Sequence, residues 1–258
     1  MICCLGQTAY RQRHYMVMKR LFRKIRAANV DEKNAFKKFD TFYHLLNSAK
    51  VDTLNFQNGL LNEKALFQYN SFVQLNLFRF LDLIEELAFN CQKNKHSASI
   101  LVLRSAMEIA AILNDVILKI NMCLEKSDYL EIEKLLFNRL FGSKKKPEFS
   151  ESVNVLTVLK KADKTKPGFL DDYESLSEYC HPSYFIYSNF YGHFLENQNR
   201  LNLNARFVNE RFNNGLIIKP TASTFNLYLD AISHYEEQKL KINNLNWDNI
   251  ITNNKNAI

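Results

Sequence analysis

Apolar and polar positions recur with a helical period over most of this chain. The most apolar run is 97–121, SASILVLRSAMEIAAILNDVILKIN. At about 100° per residue, its polar residues Ser97, Arg104, Glu108 and Asp115 fall within about 40° of one another. Ile100, Leu103, Met107, Ile109, Ala110, Leu113, Val116, Ile117 and Ile120 take the other faces. A helix apolar on most of its circumference belongs inside a bundle. Its single polar stripe then faces either solvent or a built polar site.

The rest of the pattern is organised around that run. Residues 32–48 form a helix with Ala35, Phe36, Phe39, Phe42, Tyr43 and Leu46 as its stripe, and Asn58-Gly59 breaks the chain. Residues 61–91 read as one helix of about 30 residues, about 45 Å long at 1.5 Å per residue. Leu66, Phe67, Phe72, Val73, Leu77, Phe80, Leu81, Ile84, Leu87 and Ala88 carry its packing. The polar turn 93–96 folds it back on the 97–121 helix as an antiparallel hairpin. Asp128 with Glu131 is a capping-box start for a helix over 129–141, stopped at Gly142. Residues 151–162 predict a short helix with Val155, Leu156 and Leu159 inward. Pro167-Gly168 makes a turn, and a helix over 169–180 ends at His181-Pro182, because the residue before proline avoids helical dihedrals.

Periodicity fails from 183 to 219. Arg206–Val208 and Leu216–Ile218, around Asn213-Asn214-Gly215, predict a short β-ribbon near 200–219. Pro220-Thr221 opens a last helix over 222–241, with Phe225, Leu229, Ile232 and Leu240 on one face. The expected fold is all-α: a multi-helix bundle around a long antiparallel helix hairpin. Residues 1–30 hold a basic amphipathic helix, 31–242 a single helical domain, and 243–258 a polar tail.

Charge changes this picture at one end only. Arg11, Arg13, Lys19, Arg20, Arg23, Lys24 and Arg26 stand with no acid among them and account for the whole formal charge of +7. Residues 9–28 read as a basic amphipathic helix with His14, Met18, Leu21, Phe22 and Ile25 on one face. Such a helix suits a membrane surface, a nucleic acid or an acidic partner; equally, its apolar face docks on the bundle and its charges are simply solvated. No run of about 18 apolar residues predicts a membrane span. MICCLG is too short for a signal-peptide core. The five cysteines are scattered, with no CxxC and no zinc-type spacing. Reduced thiols in a cytoplasmic protein and no metal are expected, with Cys91 and Cys123 as small buried hydrophobes.

The chain has no GxxxxGK[ST], no strand-linked GxGxxG, no HExxH and no GxSxG, and only six glycines, so no cofactor is expected. What remains is sparse. Arg104 and Glu108 stand one turn apart, and His181 follows a later helix in Tyr173-x-x-Leu176-Ser177-x-x-x-His181-Pro182. A histidine at a helix end can point into a cleft, and imidazole changes protonation near neutral pH, so His181 suits a general acid or base. Arg104 suits a phosphate stabiliser, and Glu108 an orienting group. Those roles fit metal-independent RNA cleavage, with the ribose 2′-hydroxyl as nucleophile. Tyr173, Ser177, Tyr184 and His193 are candidate binding residues near them. Lys144, Lys145 and Lys146 are candidate contacts to an RNA backbone. The same Arg–Glu–His set also suits a purely architectural cluster that ties helices together.

The Arg104-x-x-x-Glu108 helix and the downstream Leu176-Ser177-x-x-x-His181-Pro182 turn resemble an uncharacterised group of bacterial all-helical proteins, which is distantly similar to the HEPN superfamily. The resemblance covers roughly 60–240. It implies a helical bundle from a toxin–antitoxin or phage-defence system, dimeric, with RNA or a cognate protein as partner. Many active HEPN proteins are metal-independent RNases; inactive ones serve as antitoxins, nucleotide binders or scaffolds. The chain departs from the HEPN motif in one respect. That motif sets Arg four to six residues from His, whereas Asp171, Asp172, Glu174 and Glu178 precede His181, so Arg104 takes the arginine's place.

Overall fold

A computed structural model describes residues 21–22, 25–27, 29–51, 53–54, 61–142, 154–181, 192–195, 200–203 and 215–244. It is the expected all-α multi-helix bundle. The helices are α1 (Val30–Ser48), α2 (Leu61–Gln92), α3 (His96–Glu125), α4 (Tyr129–Phe141), α5 (Val155–Thr165), α6 (Phe169–Glu178), α7 (Gly215–Ser233) and α8 (Tyr235–Asn243). Strands β1 (Gly192–Leu195) and β2 (Arg200–Leu203) form an antiparallel ribbon between α6 and α7. Among the described residues no helix is long and apolar enough to cross a membrane.

The α2–α3 turn shows how a polar tripeptide reverses the chain. Asn94 adopts the left-handed conformation (φ 53°), and the Lys95 N–H reaches back to the Asn90 carbonyl at 2.8 Å. That i to i−5 bond closes the helix end in the manner that αL caps provide. Ser127 repeats the device after α3 (φ 56°), with the Asp128 N–H on the Cys123 carbonyl at 2.9 Å. Asp128 then caps α4 through the Glu131 N–H, and Asn154 caps α5 through the Thr157 N–H.

The chain divides into two compact units, and each takes part of both long helices. The first comprises Met1–Ser48, Leu81–Arg104 and Glu174–Ala222. Its core holds Phe36, Phe39, Tyr43, Leu81, Ile84, Leu87, Ile100 and Leu103. Phe22, from the basic segment, is 1% exposed and packs edge-on against Phe39, while its N–H donates to the buried Asp40 carboxylate at 2.7 Å. Residues 21–22 and 25–27 are turn and irregular rather than helix. Thus the described end of the segment docks its apolar residues, as amphipathic surface segments commonly do. Its residues 9–20, 23–24 and 28 lie outside the described ones.

The second unit comprises Ala49–Phe80, Ser105–Tyr173 and Ser223–Ile258. Phe80 stacks on Tyr228 with ring centroids 3.9 Å apart. Buried Gln238 accepts a hydrogen bond from the Tyr69 hydroxyl at 2.5 Å and donates one to the Ile117 carbonyl at 2.9 Å. One side chain thereby gives the buried Tyr69 hydroxyl of α2 a partner and ties it to α3.

Four expectations need correction. The ribbon lies at 192–195 and 200–203, and Leu216–Ile218 belong to α7. Ile217, Thr221, Thr224, Phe225 and Tyr228 recur at helical spacing and are all buried, which favours a helix over a strand. Arg206–Val208 lie outside the described residues. Pro220 stands inside α7 instead of opening it; its ring is buried, and that burial offsets the lost N–H. The single last helix is two, broken at His234. Finally, Leu156 is 54% exposed, and α5 turns Val158, Leu159 and Ala162 inward.

Candidate functional site

The polar stripe of α3 is a seam of built polar contacts. Asp115 is 3% exposed, and both its oxygens are engaged. Oδ2 meets Arg139 Nη2 of α4 at 2.6 Å and Lys119 Nζ, one turn along α3, at 3.1 Å. Oδ1 meets Lys161 Nζ of α5 at 2.9 Å. Burial alone raises a carboxyl pKa; here the Lys161 and Lys119 ammonium groups outweigh it and hold Asp115 below the usual carboxylate range. One charge thus ties three helices of the second unit.

Two turns earlier on α3, Glu108 is half-buried and its Oε1 accepts a hydrogen bond from the Tyr173 hydroxyl at 2.8 Å. Tyr173 is 4% exposed, on the α6 face that also buries Leu176. Arg104, one turn before Glu108, is half-buried in the first unit. Ser177 is half-buried on α6. His181 stands exposed just past the end of that helix, where Cys180 closes a turn on the Ser177 carbonyl at 2.9 Å. Among the sequence-derived candidates, then, Glu108 and Tyr173 meet directly, and Arg104, Ser177 and His181 belong to the first unit. His193 sits in β1 opposite Asn202. Tyr184, Lys144, Lys145 and Lys146 lie outside the described residues.

Sequence reasoning placed Asp115 on the polar stripe and missed its three partners. Lys119 was within reach, since an acid four residues before a lysine is the favoured helical order. Arg139 and Lys161 lie 24 and 46 residues downstream, and no local pattern announces them.

Cys91 and Cys123 are poor nucleophiles. Burial pushes Cys91 up to about 11. Cys123 is also raised, by burial and then by the Asp128 and Glu131 carboxylates. Nucleophilic cysteines need the opposite shift. Cys123 lies in a cavity of about 260 Å³ whose wall includes Lys119, Lys126, Asp128 and Glu131.

Compared with protein-family models, curated proteins and solved structures, the chain has no match in any of the three.

Proposed function

We propose that this chain is a HEPN-like helical protein of a toxin or phage-defence system that cleaves RNA without a metal ion. His181 is the acid/base group and Arg104 the phosphate stabiliser. The observation that supports this reading is the exposure of His181 at a helix end, with Arg104 in the same compact unit. An imidazole held only for architecture belongs among buried, paired groups; this one is open to solvent.

The chemistry follows from the two side chains. The imidazole takes the proton of a ribose 2′-hydroxyl, whose oxygen attacks the adjacent phosphorus. The bond to the 5′-oxygen breaks, and the imidazolium returns its proton to that leaving group. The guanidinium faces the non-bridging oxygens, where charge builds in the transition state. The products are a 2′,3′-cyclic phosphate and a 5′-hydroxyl. The basic cluster of residues 11–26 supplies sequence-independent attraction to the backbone. On this reading the protein acts as a homodimer and is restrained by a cognate protein partner.

The test is incubation with single-stranded RNA in excess EDTA, beside the same strand built from 2′-deoxynucleotides. Cleavage of the RNA alone, leaving cyclic phosphate ends, is expected. Cleavage of both strands, or of neither, contradicts the reading.

A second reading, a non-catalytic helical scaffold, is favoured by the Glu108–Tyr173 bond. Glu108→Gln and Tyr173→Phe separate the two. A scaffold role predicts that these variants lose stability and partner binding in step and that the unsubstituted chain cleaves no RNA.

A further inference from the structure

Within the second unit, the Asp115 cluster has more charge than Asp115 needs. Among the described residues three cations surround one carboxylate, for a formal surplus of two positive charges. Among the described residues, Asp128 and Glu131 line a cavity with Lys119, but the ion pair of Lys119 is with Asp115, and the other acids on these helices are committed elsewhere or distant. Glu108 accepts from Tyr173, Glu131 pairs with Lys134, and Glu133 with Lys64. Asp163 accepts the Leu170 N–H at 3.0 Å. Glu125 lies ten residues from Asp115 on α3, about 15 Å along the axis. A buried carboxylate with two hydrogen-bonded cations is already compensated. A third adds repulsion among like charges unless a further anion is at hand.

The exposures fit such an anion. Lys119 and Lys161 are 36% and 44% exposed, so their ammonium groups reach solvent. Arg139 is only 11% exposed, and its Nε is sealed with no acceptor, so it supplies charge from beneath. Both ammonium groups lie within 3.1 Å of the same carboxylate, close enough for one tetrahedral oxyanion to bridge them. The flexible stems of lysine let them turn outward without moving a helix.

We infer that Lys119, Lys161 and Arg139 form a phosphate-binding site over Asp115, separate from Arg104 and His181 and independent of any RNA cleavage. Its ligand is a phosphate group, either free or in a nucleic-acid backbone. Asp115 acts as the resident anion that holds the cations in place and competes with the ligand.

The test is a titration of the full chain with sodium phosphate, read by melting temperature and by 31P line broadening, against chloride at matched ionic strength. A parallel titration with a DNA oligonucleotide distinguishes backbone phosphate from free phosphate. Saturable binding of phosphate beyond chloride is expected. Lys119→Gln with Lys161→Gln should weaken it about tenfold or more, the scale of one charge-assisted contact. Lys134→Gln with Lys241→Gln should leave it unchanged. Asp115→Asn, where it folds, should tighten it several-fold by removing the internal competitor. No response to phosphate beyond chloride, or a phosphate response that survives the Lys119/Lys161 double substitution, overturns the inference, whereas DNA binding that survives it belongs to the basic cluster of residues 11–26.

Discussion

Asp115 carries a full charge at a site where water barely reaches it, and its neighbours are chosen accordingly. Removing the carboxylate leaves Arg139 almost buried and without its main acceptor. Asp115→Ala should therefore cost about 3–5 kcal/mol, the usual penalty for breaking a buried charge pair, measured by urea denaturation. Lys134 on α4 is exposed, and Lys134→Ala should stay within about 0.5 kcal/mol in the same assay. The Tyr173 hydroxyl is a neutral donor to a half-buried acid, so Tyr173→Phe should cost less, about 1–2 kcal/mol. These differences could not be read from sequence. Glu108 and Asp115 look alike on a helical wheel, and only the arrival of α4, α5 and α6 gives them different partners.

At the scale of elements, legibility followed the strength of the local signal. The nine residues assigned to the apolar faces of α3 are all at most 4% exposed. The α4 boundaries came out at 129–141 as read, because the Asp128 cap and Gly142 mark both ends. The misreading of 216–218 has a physical cause: three consecutive apolar residues carry no period of their own, and the deciding residues, Thr221 to Tyr228, lie downstream of Pro220. The turn at Ser127 was invisible for another reason, since serine seldom marks a left-handed residue. Ser127→Gly should raise stability by about 0.5–1 kcal/mol, as relief of αL strain exceeds the added freedom of the unfolded chain. A lower denaturation midpoint would contradict that account. Asn154→Ala should remove the α5 cap at a cost of about 1 kcal/mol.

For the whole molecule, the charge pattern predicts how stability responds to pH. Asp115 has its pKa lowered in the folded state, so its contribution is present above the ordinary carboxylate value, near 3.8, and is lost as pH falls through the folded value. Asp115→Asn should flatten that acid limb. Tyr43, Tyr69 and Tyr228 are shifted the other way, chiefly by burial. Their contribution is full below the ordinary tyrosine value, near 10, and fades as pH climbs above it toward their raised folded values. Denaturation midpoints from pH 2 to 12 should thus fall at both ends. The fold class was legible because helical periodicity runs through most of the chain; the two-unit division was not, since each unit collects segments far apart in sequence.

The most direct measurement of the central claim pairs two readings on His181→Ala: the rate of RNA cleavage in EDTA and the melting temperature. His181 is exposed past the end of α6, so its removal should leave the melting temperature unchanged. The cleavage rate should fall by about two orders of magnitude or more, the ordinary worth of a general acid/base. Undiminished cleavage by a normally folded His181→Ala protein would contradict the account.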